Sequence, residues 1–425
     1  MFVNQFLPVS ETFVLRQIAG ILERGHSVDI FAAAPADPRD LNQEALRRGL
    51  MNRVHYLHRP GRGPRPYLWR VLMALRLMAF VGWRSPKVFA VMLNGIWHRP
   101  AAGSLDLLYA VASLMRAGQG RYDIIHCQFG QLGMFALRLT KLGVLSGKLV
   151  TAFRGYDATR YLKAHPEGYS ELFSEGDLFC PVSGSLKRLI MAAGCSEGKI
   201  AILHSAVDCA RLTYSPRHRG RNEPTKLLTV ARLVEKKGVA YAVQAVAQLV
   251  RQERLVSYVI VGDGVLRLDL ERMIEELGLS PQVRIVGWVD EEQVSRLLKE
   301  SHILVAPSVT AEDGDQEGIP NVLKEAMATG LPVVSTRHSG IPELVEDGVS
   351  GFLVPERDVD ALADRLAYVI DHSELWPAIG QAGRLKVERE FDVEKLNDEL
   401  IELYRRLLRG GGPAHVESRK LAAVR

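Results

Sequence analysis

Cysteine is sparse in this chain of 425 residues, and the four present, Cys127, Cys180, Cys195 and Cys209, stand apart, with no Cys-x-x-Cys pair and no histidine at zinc-ligand spacing. A disulfide-stapled or zinc-knit scaffold is therefore excluded, and buried free thiols in a reducing compartment are expected. No uninterrupted apolar run reaches the roughly 18 residues of a membrane-spanning helix. The first residues carry neither a cationic segment nor a long apolar one, so no secretory signal is expected. Acidic residues are missing from one long region. Between Ala45 and Leu105 there is no Asp or Glu, while Arg47, Arg48, Arg53, Arg59, Arg62, Arg65, Arg70, Arg76, Arg84, Lys87 and Arg99 all fall there. A dinucleotide fingerprint is also lacking: Gly262-Asp263-Gly264 follows a strand pattern, but Arg267 stands where the third glycine belongs, so NAD is not expected.

The charge that is present is unevenly placed. Residues 1–208 hold 25 Lys/Arg and 15 Asp/Glu, a net of +10, and the remainder holds 29 and 34, a net of −5. A basic first half attracts phosphates or an anionic membrane surface. Within it, Tyr67–Trp83 interleaves arginines with Leu, Met, Trp and Phe and forms no clean apolar stripe. Two readings fit: a buried helix with snorkelling arginines, or a helix lying on a membrane. Membrane contact by the 59–100 region is favoured, because so many cations without one acid exceed what solubility needs. No nucleic-acid motif accompanies the charge, and nucleic-acid binding is not expected.

The length calls for two domains. Strand and helix patterns alternate in both halves, which predicts an α/β protein with two doubly wound parallel sheets. Met1–Leu7 reads as a first strand, a helix capped by Ser10 runs to Glu23, and Val28–Ala32 reads as the second strand. Asp123–Cys127 and Val150–Phe153 are strands running into loops, Lys199–Leu203 is a short strand, and Phe391–Leu408 is a long last helix. Ligands in such sheets gather at the strand C-termini, which singles out His126, Gln128, Arg154 and Asp157. Glu11, in the first turn of the first helix, suits the helix dipole.

The most informative stretch runs from Ser308 to Thr336. An acidic loop ends in Glu317-Gly318-Ile319-Pro320, a helix follows from Asn321 to Ala328, and Val333-Val334-Ser335 is a buried strand. Asn321 is a plausible cap, with Pro320 fixing the entry. Glu317 and Glu325 then flank a helix start whose free N–H groups favour an anion. That suits a ligand with both phosphate and hydroxyls. Asp313-Gly314-Asp315 could hold a divalent ion, but it lies beside cations suited to a diphosphate, so no metal is expected.

Glu317 and Glu325, with seven residues between them in Glu-Gly-Ile-Pro-Asn-Val-Leu-Lys-Glu-Ala-Met-Ala-Thr-Gly-Leu-Pro-Val-Val-Ser-Thr, resemble the paired glutamates of the retaining GT-B glycosyltransferases of family 4. Ala231-Arg232-Leu233-Val234-Glu235-Lys236-Lys237-Gly238 looks like the family's phosphate loop, and Ser10-Glu11-Thr12-Phe13 like the first loop of its colanic-acid, exopolysaccharide type, which in that fold faces the cleft and so makes Glu11 a candidate on the acceptor side. The resemblance spans Phe2 to Leu408. It implies a GT-B fold whose two Rossmann-like domains face a cleft: residues 1–207 on the acceptor side, 208–390 for the nucleotide-sugar, and 391–408 a helix crossing back to the first domain. Residues 409–425, basic and glycine-rich at their start, are expected to form a disordered tail.

The implied reaction moves a sugar from a nucleotide-sugar to a glycan, lipid-linked at the inner, cytoplasmic face of the membrane, with retention and without cofactor or metal. Arg232 and Lys237 would hold the diphosphate, Glu317 the donor sugar and Glu325 the ribose. Gly318, Ile319, Asn321 and Val322 would cradle phosphate and sugar, and Gly262 and Val286 would line the donor site. Gln128 and Arg154 stand where the family often has histidine, so a histidine acid–base scheme is in doubt; Gln128 can only hydrogen-bond, and Arg154 brings a permanent cation. Two other readings share the fold or its setting: a nucleotide-sugar epimerase or hydrolase, and a non-catalytic scaffold of a polysaccharide assembly. The presence of Arg232, Lys237, Glu317 and Glu325 argues against the scaffold.

Overall fold

A computed structural model describes residues 1–6, 12–35, 43–57, 67–90, 92, 105–117, 120–220 and 222–411. Glu11, Ser10 and the tail from 412 onward lie outside the described residues.

Among the described residues, twelve strands form two parallel six-stranded sheets. The first contains β1 (Phe2–Phe6), β2 (Ile30–Pro35), β3 (Val54–Tyr56), β4 (Arg121–Cys127), β5 (Ser146–Phe153) and β6 (Leu178–Pro181), in the order β3-β2-β1-β4-β5-β6. The second contains β7 (Thr225–Val230), β8 (Val256–Val261), β9 (Val283–Gly287), β10 (Ile303–Ala306), β11 (Val333–Thr336) and β12 (Phe352–Val354), in the order β12-β11-β10-β7-β8-β9. Counted from its own first strand, each half has the same order, the doubly wound arrangement with one reversal of direction. The reversals fall at β1/β4 and at β7/β10, and loops leaving those strand ends meet across the cleft.

The second sheet forms because its strands are short Val/Ile/Leu runs that need cover on both faces. The helix Val239–Arg251 supplies part of that cover: Val239, Ala242, Val243, Val246 and Leu249 recur at helical spacing and are buried. The first sheet is covered differently. One face packs Leu77, Val81, Val111 and Leu137. The other packs Val14, Leu15 and Ile18 of the helix Thr12–Glu23, together with Leu396, Leu400 and Ile401 of the last helix, Val393–Leu408. The last helix thus belongs to the core of the first domain. Where Lys199–Leu203 was expected as a strand, the chain runs beside β6 with only the Ala201 and Leu203 amides bonded to it (3.0 and 3.1 Å) and forms an isolated bridge at Ile200.

Two crossings join the domains, and they lie side by side. The Val207 amide donates to the Phe391 carbonyl (3.0 Å) and the Val393 amide to the Val207 carbonyl (2.9 Å), with the His204 ring tilted against Phe391. Around this hinge the seam is polar. Glu343 accepts from the Gly184 and Ser185 amides at the start of a first-domain helix (2.9 and 3.2 Å), an anion at a helix N-terminus. Thr159 Oγ1 accepts from the Gln316 amide (3.2 Å), and Arg160 pairs with Asp313 (3.1 Å). Lys324 is fully buried and donates to the Ser205 carbonyl (2.6 Å). Burial pushes its ammonium down to about 7, against the pull of Glu325.

The unfolded chain therefore holds the Lys324 proton at higher pH than the folded one, and stability is expected to rise between pH 7 and the ordinary lysine range, by at most about 1.4 kcal/mol per pH unit from this group. Chemical denaturation at stepped pH should show that the difference in slope between the parent and Lys324→Met vanishes below pH 7; an identical slope above pH 7 refutes it. Gly155 lets the two backbones come close across the seam: a Cβ there would fall 2.3 Å from the Gln316 carbonyl oxygen. Gly155→Ala should part the domains, so that small-angle scattering gives a larger radius of gyration while circular dichroism stays unchanged. An unaltered radius counts against a seam closed at this point.

Candidate active site

The cleft between the domains encloses about 490 Å³ and is lined from both sides. Thr12, Phe13, Arg154, Gly155, Val182 and Ser205 come from the first domain, and Arg232, Lys237, Gly262, Asp263, Trp288 and the run Glu317–Val322 with Glu325 from the second. A larger hollow of about 810 Å³ opens elsewhere on the first domain, around Asp29, Tyr122 and Tyr404. It contains none of the cations or glutamates singled out for phosphate and sugar, so the chemistry is assigned to the interdomain cleft.

Strand ends build the second-domain wall. β7 delivers Ala231 and Arg232, and the turn Glu235–Lys237 follows at once. β8 leads straight into Gly262, where φ is +132° and a Cβ would fall 1.8 Å from the Ala231 carbonyl oxygen, so no side chain fits. The helix Asn321–Ala328 starts in the cleft, with Pro320 rather than Asn321 in the cap position. Proline's fixed φ places it there, and Asn321, the first helical residue, faces the cavity.

Four charges interlock at the centre. Glu317 pairs with Lys237 (3.1 Å) and with Lys236 (3.2 Å), and Lys236 also pairs with Asp315 (3.0 Å). Burial opposes the Glu317 charge, but Lys237 and Lys236 outweigh it and hold the carboxyl down at about 2. Glu325 differs: burial raises its carboxyl, with Arg16 and Lys324 pulling the other way. Arg16, from the helix Thr12–Glu23, reaches across to Glu291 (3.3 Å). Arg232 is exposed in the cleft beside Lys237.

The structure thus brings together Arg232, Lys237, Gly262, Glu317, Gly318, Ile319, Asn321, Val322 and Glu325, with Arg154 opposite. Val286 does not join them. It packs against the core that includes Val261 and Leu323, and its chain neighbours Trp288 and Val289 face the cavity instead. Three first-domain candidates also sit beneath the surface. Gln128 is fully buried and props Arg154, accepting from its guanidinium through Oε1 (2.6 Å) and donating to Gln17 (2.5 Å). Asp157 is buried and accepts from the Gly130 and Arg154 amides (2.9 and 2.7 Å), tying two strand-end loops together; burial raises its carboxyl to about 6. His126 is bonded to Tyr404 of the last helix, and burial above all pushes it down to about 3. Of that set only Arg154 borders the cleft, held by Gln128 and Ser205 (2.8 Å) and stacked over Phe13 (3.9 Å).

Asp313 and Asp315 are engaged by Arg160 and Lys236. Lys236 and Arg16 were not singled out from the sequence. Lys236 reads as one of two equivalent neighbours, and only the turn sends it inward. Arg16 shares the cleft-facing face of its helix with Thr12 and Phe13, so helical spacing could have marked it.

A family profile described as "Glycosyl transferases group 1" matches residues 211–386. The chain is 36% identical over 416 residues to the putative colanic acid biosynthesis glycosyltransferase WcaL of Escherichia coli K12, covering 96% of this chain and 99% of that one. It is 35% identical to the amylovoran biosynthesis glycosyltransferase AmsK of Erwinia amylovora, covering 96% and 98%. Among solved structures, Anabaena HepE in complex with UDP-glucose superposes with a TM-score of 0.67 at 19% identity, over 95% of this chain and 98% of that one, which shows the GT-B fold. Matched almost end to end by these relatives, the chain belongs to the group 1 glycosyltransferases.

Proposed function

We propose that this glycosyltransferase moves a sugar from a nucleotide-sugar to a lipid-linked glycan in the making of an exopolysaccharide, with retention at the anomeric carbon and without a metal. One observation carries the reading: Arg232, Lys237, Glu317, Glu325 and an open helix start converge on a single cavity at two facing switch points. The relatives named above are exopolysaccharide enzymes, and the HepE structure holds a UDP-sugar.

The parts have distinct tasks. Arg232 offers a planar fork and Lys237 a point charge to the diphosphate, whose negative charge grows as the sugar leaves. The amides of Gly318–Val322 add donors there. Glu325, whose carboxyl is raised by burial, accepts from ribose hydroxyls. A Glu317 carboxyl held at about 2 is a poor proton acceptor, so it binds sugar hydroxyls rather than serving as base. His126 is neutral, buried and outside the cleft. The group left to take the acceptor proton is the departing phosphate itself, on the same face, which gives retention without a protein nucleophile. Asp313 and Asp315 are already paired with cations, which supports diphosphate binding by Arg232 and Lys237 without a divalent ion.

The membrane reading gains from the helix Tyr67–Arg84. Leu77 and Val81 face the core, while Leu72, Leu75 and Trp83 are exposed beside Arg76 and Arg84. Among the described residues no helix is long and apolar enough to cross a membrane. A helix that shows leucine, tryptophan and arginine on one outer face suits the headgroup boundary of an anionic bilayer, here at the cytoplasmic side, where nucleotide-sugars are made.

Purified protein should be stabilised by one of UDP-glucose, UDP-galactose, GDP-mannose or GDP-fucose in a thermal-shift panel and should transfer that sugar to a polyprenyl-diphosphate-linked acceptor. Glu317→Ala and Lys237→Ala should each lower kcat/KM on the order of 100-fold. Unchanged transfer in both, or epimerised or hydrolysed donor with no transfer, overturns the reading. Co-sedimentation with phosphatidylglycerol vesicles should weaken at high salt and lose about 1 kcal/mol per arginine in Arg76→Gln and Arg84→Gln; salt-insensitive binding, or none, removes the membrane.

A further inference from the structure

Behind the cleft, a histidine and a glutamate hold the backbone of the acidic loop at both ends. His338 follows β11 and is completely buried. Its Nε2 accepts the amide N–H of Glu317 at 3.1 Å. Nε2 therefore carries no proton, the ring is the Nδ1–H tautomer, and Nδ1 donates to Glu356 Oε1 at 2.7 Å. The other oxygen of Glu356 accepts the amide N–H of Thr310 at 2.7 Å. Thr310 begins the loop and Glu317 ends it, so one His–Glu pair fixes both ends. A second tie runs alongside, from the Gly340 amide to the Gly318 carbonyl at 3.1 Å.

The chemistry calls for these two residue types. The position of His338 needs a planar group that accepts on one edge and donates on the other. Lysine and arginine only donate, and carboxylates only accept. Glu356 receives two donors, one per oxygen, which an amide side chain cannot do. The result reaches the cleft through the Glu317 backbone: moving that amide moves the carboxylate away from Lys236 and Lys237, whose contacts at 3.2 and 3.1 Å leave little slack.

We infer that His338, oriented by Glu356, is a positioning residue for the donor sugar, setting the Glu317 backbone so that its carboxylate meets the sugar while the nucleotide end is bound independently. The inference rests on the reading of Glu317 as a donor-sugar contact.

Two measurements on the full chain test it. The first needs no ligand: hydrogen exchange at the Glu317 amide. Gln at 338 can place an oxygen near the Nε2 position, whereas Asn matches Nδ1 and Ala offers nothing. His338→Gln should keep the Glu317 amide protected, and His338→Asn and His338→Ala should exchange on the order of tenfold faster or more. Glu356→Gln should behave like His338→Ala, because its NH2 would face Nδ1, drive the proton to Nε2 and set N–H against N–H. The second is calorimetric binding of UDP-glucose, UDP-galactose, GDP-mannose and GDP-fucose, with UDP and GDP alone as controls. Whichever sugar nucleotide binds the parent should bind His338→Asn and Glu356→Gln on the order of tenfold more weakly, and His338→Gln nearly as well as the parent, with the bare nucleotide unaffected in all three. A residue that merely fills space would weaken nucleotide and nucleotide-sugar alike and would not separate Gln from Asn. Equal exchange in His338→Gln and His338→Asn, or parent-like exchange in Glu356→Gln, overturns the inference. If Glu317→Ala binds the sugar nucleotide as the parent does, the reading of Glu317 falls. If Glu317→Ala loses the sugar nucleotide while His338→Asn matches His338→Gln, the role of His338 falls alone.

Discussion

Glu317 lies between Lys236 and Lys237 with its side chain 13% exposed, where a lone carboxylate would lose most of its hydration. The two ammonium groups reverse that penalty, and Asp315 balances Lys236 in turn. Removing one member of such a buried set leaves an uncompensated charge, which is far more costly than replacing the whole set. The cleft floor is thus an electrostatic unit. It keeps one carboxylate ionised and fixed at the point where the loop from β10 meets the start of the helix Asn321–Ala328. Diphosphate arrival would add negative charge beside Lys237, and Lys236 can keep holding Glu317 while Lys237 divides its charge between the two.

The second domain was largely legible in the sequence because its signals are local. Short Val/Ile/Leu runs, glycines at strand ends and a proline before the helix specify strand, turn and helix within a few residues of each other. Arg232, Lys237, Glu317 and Glu325 could be placed from such signals. What escaped depends on contacts between distant parts of the chain. His126, Gln128 and Asp157 sit at strand ends that looked open, yet Tyr404 covers His126 from nearly the far end of the sequence. Gln128 and Asp157 are absorbed in holding Arg154 and its loop. Lys236 and Lys237 are indistinguishable as letters; a single turn of 3-10 helix decides which one points to Asp315. Val286 was placed two positions too early: the chain leaving β9 gives Trp288 and Val289 to the cavity and keeps Val286 for the core.

The seam between the domains carries polar and charged contacts, as interfaces between domains of one chain commonly do. Lys324 is the wholly buried charge among these contacts, and it donates to the Ser205 carbonyl beside the hinge. It holds its place next to Glu325 on the same helix, so the group read as a ribose contact and the group that touches the hinge are chain neighbours. A change at one is felt at the other without any intervening element.

The last helix has a consequence for how the protein is made. Leu396, Leu400 and Ile401 fill one face of the first sheet, but they are translated after the whole second domain. While the ribosome is still working, β1 to β6 are complete in sequence yet lack part of their cover, and the nascent first domain shows an apolar face that nothing nearby can bury. The second domain, whose core needs only residues between the two crossings, can close first. Folding of this chain then runs against the order of synthesis in its final step: the beginning is finished by the end, and a nascent chain stalled short of residue 393 holds a finished second domain beside an unfinished first.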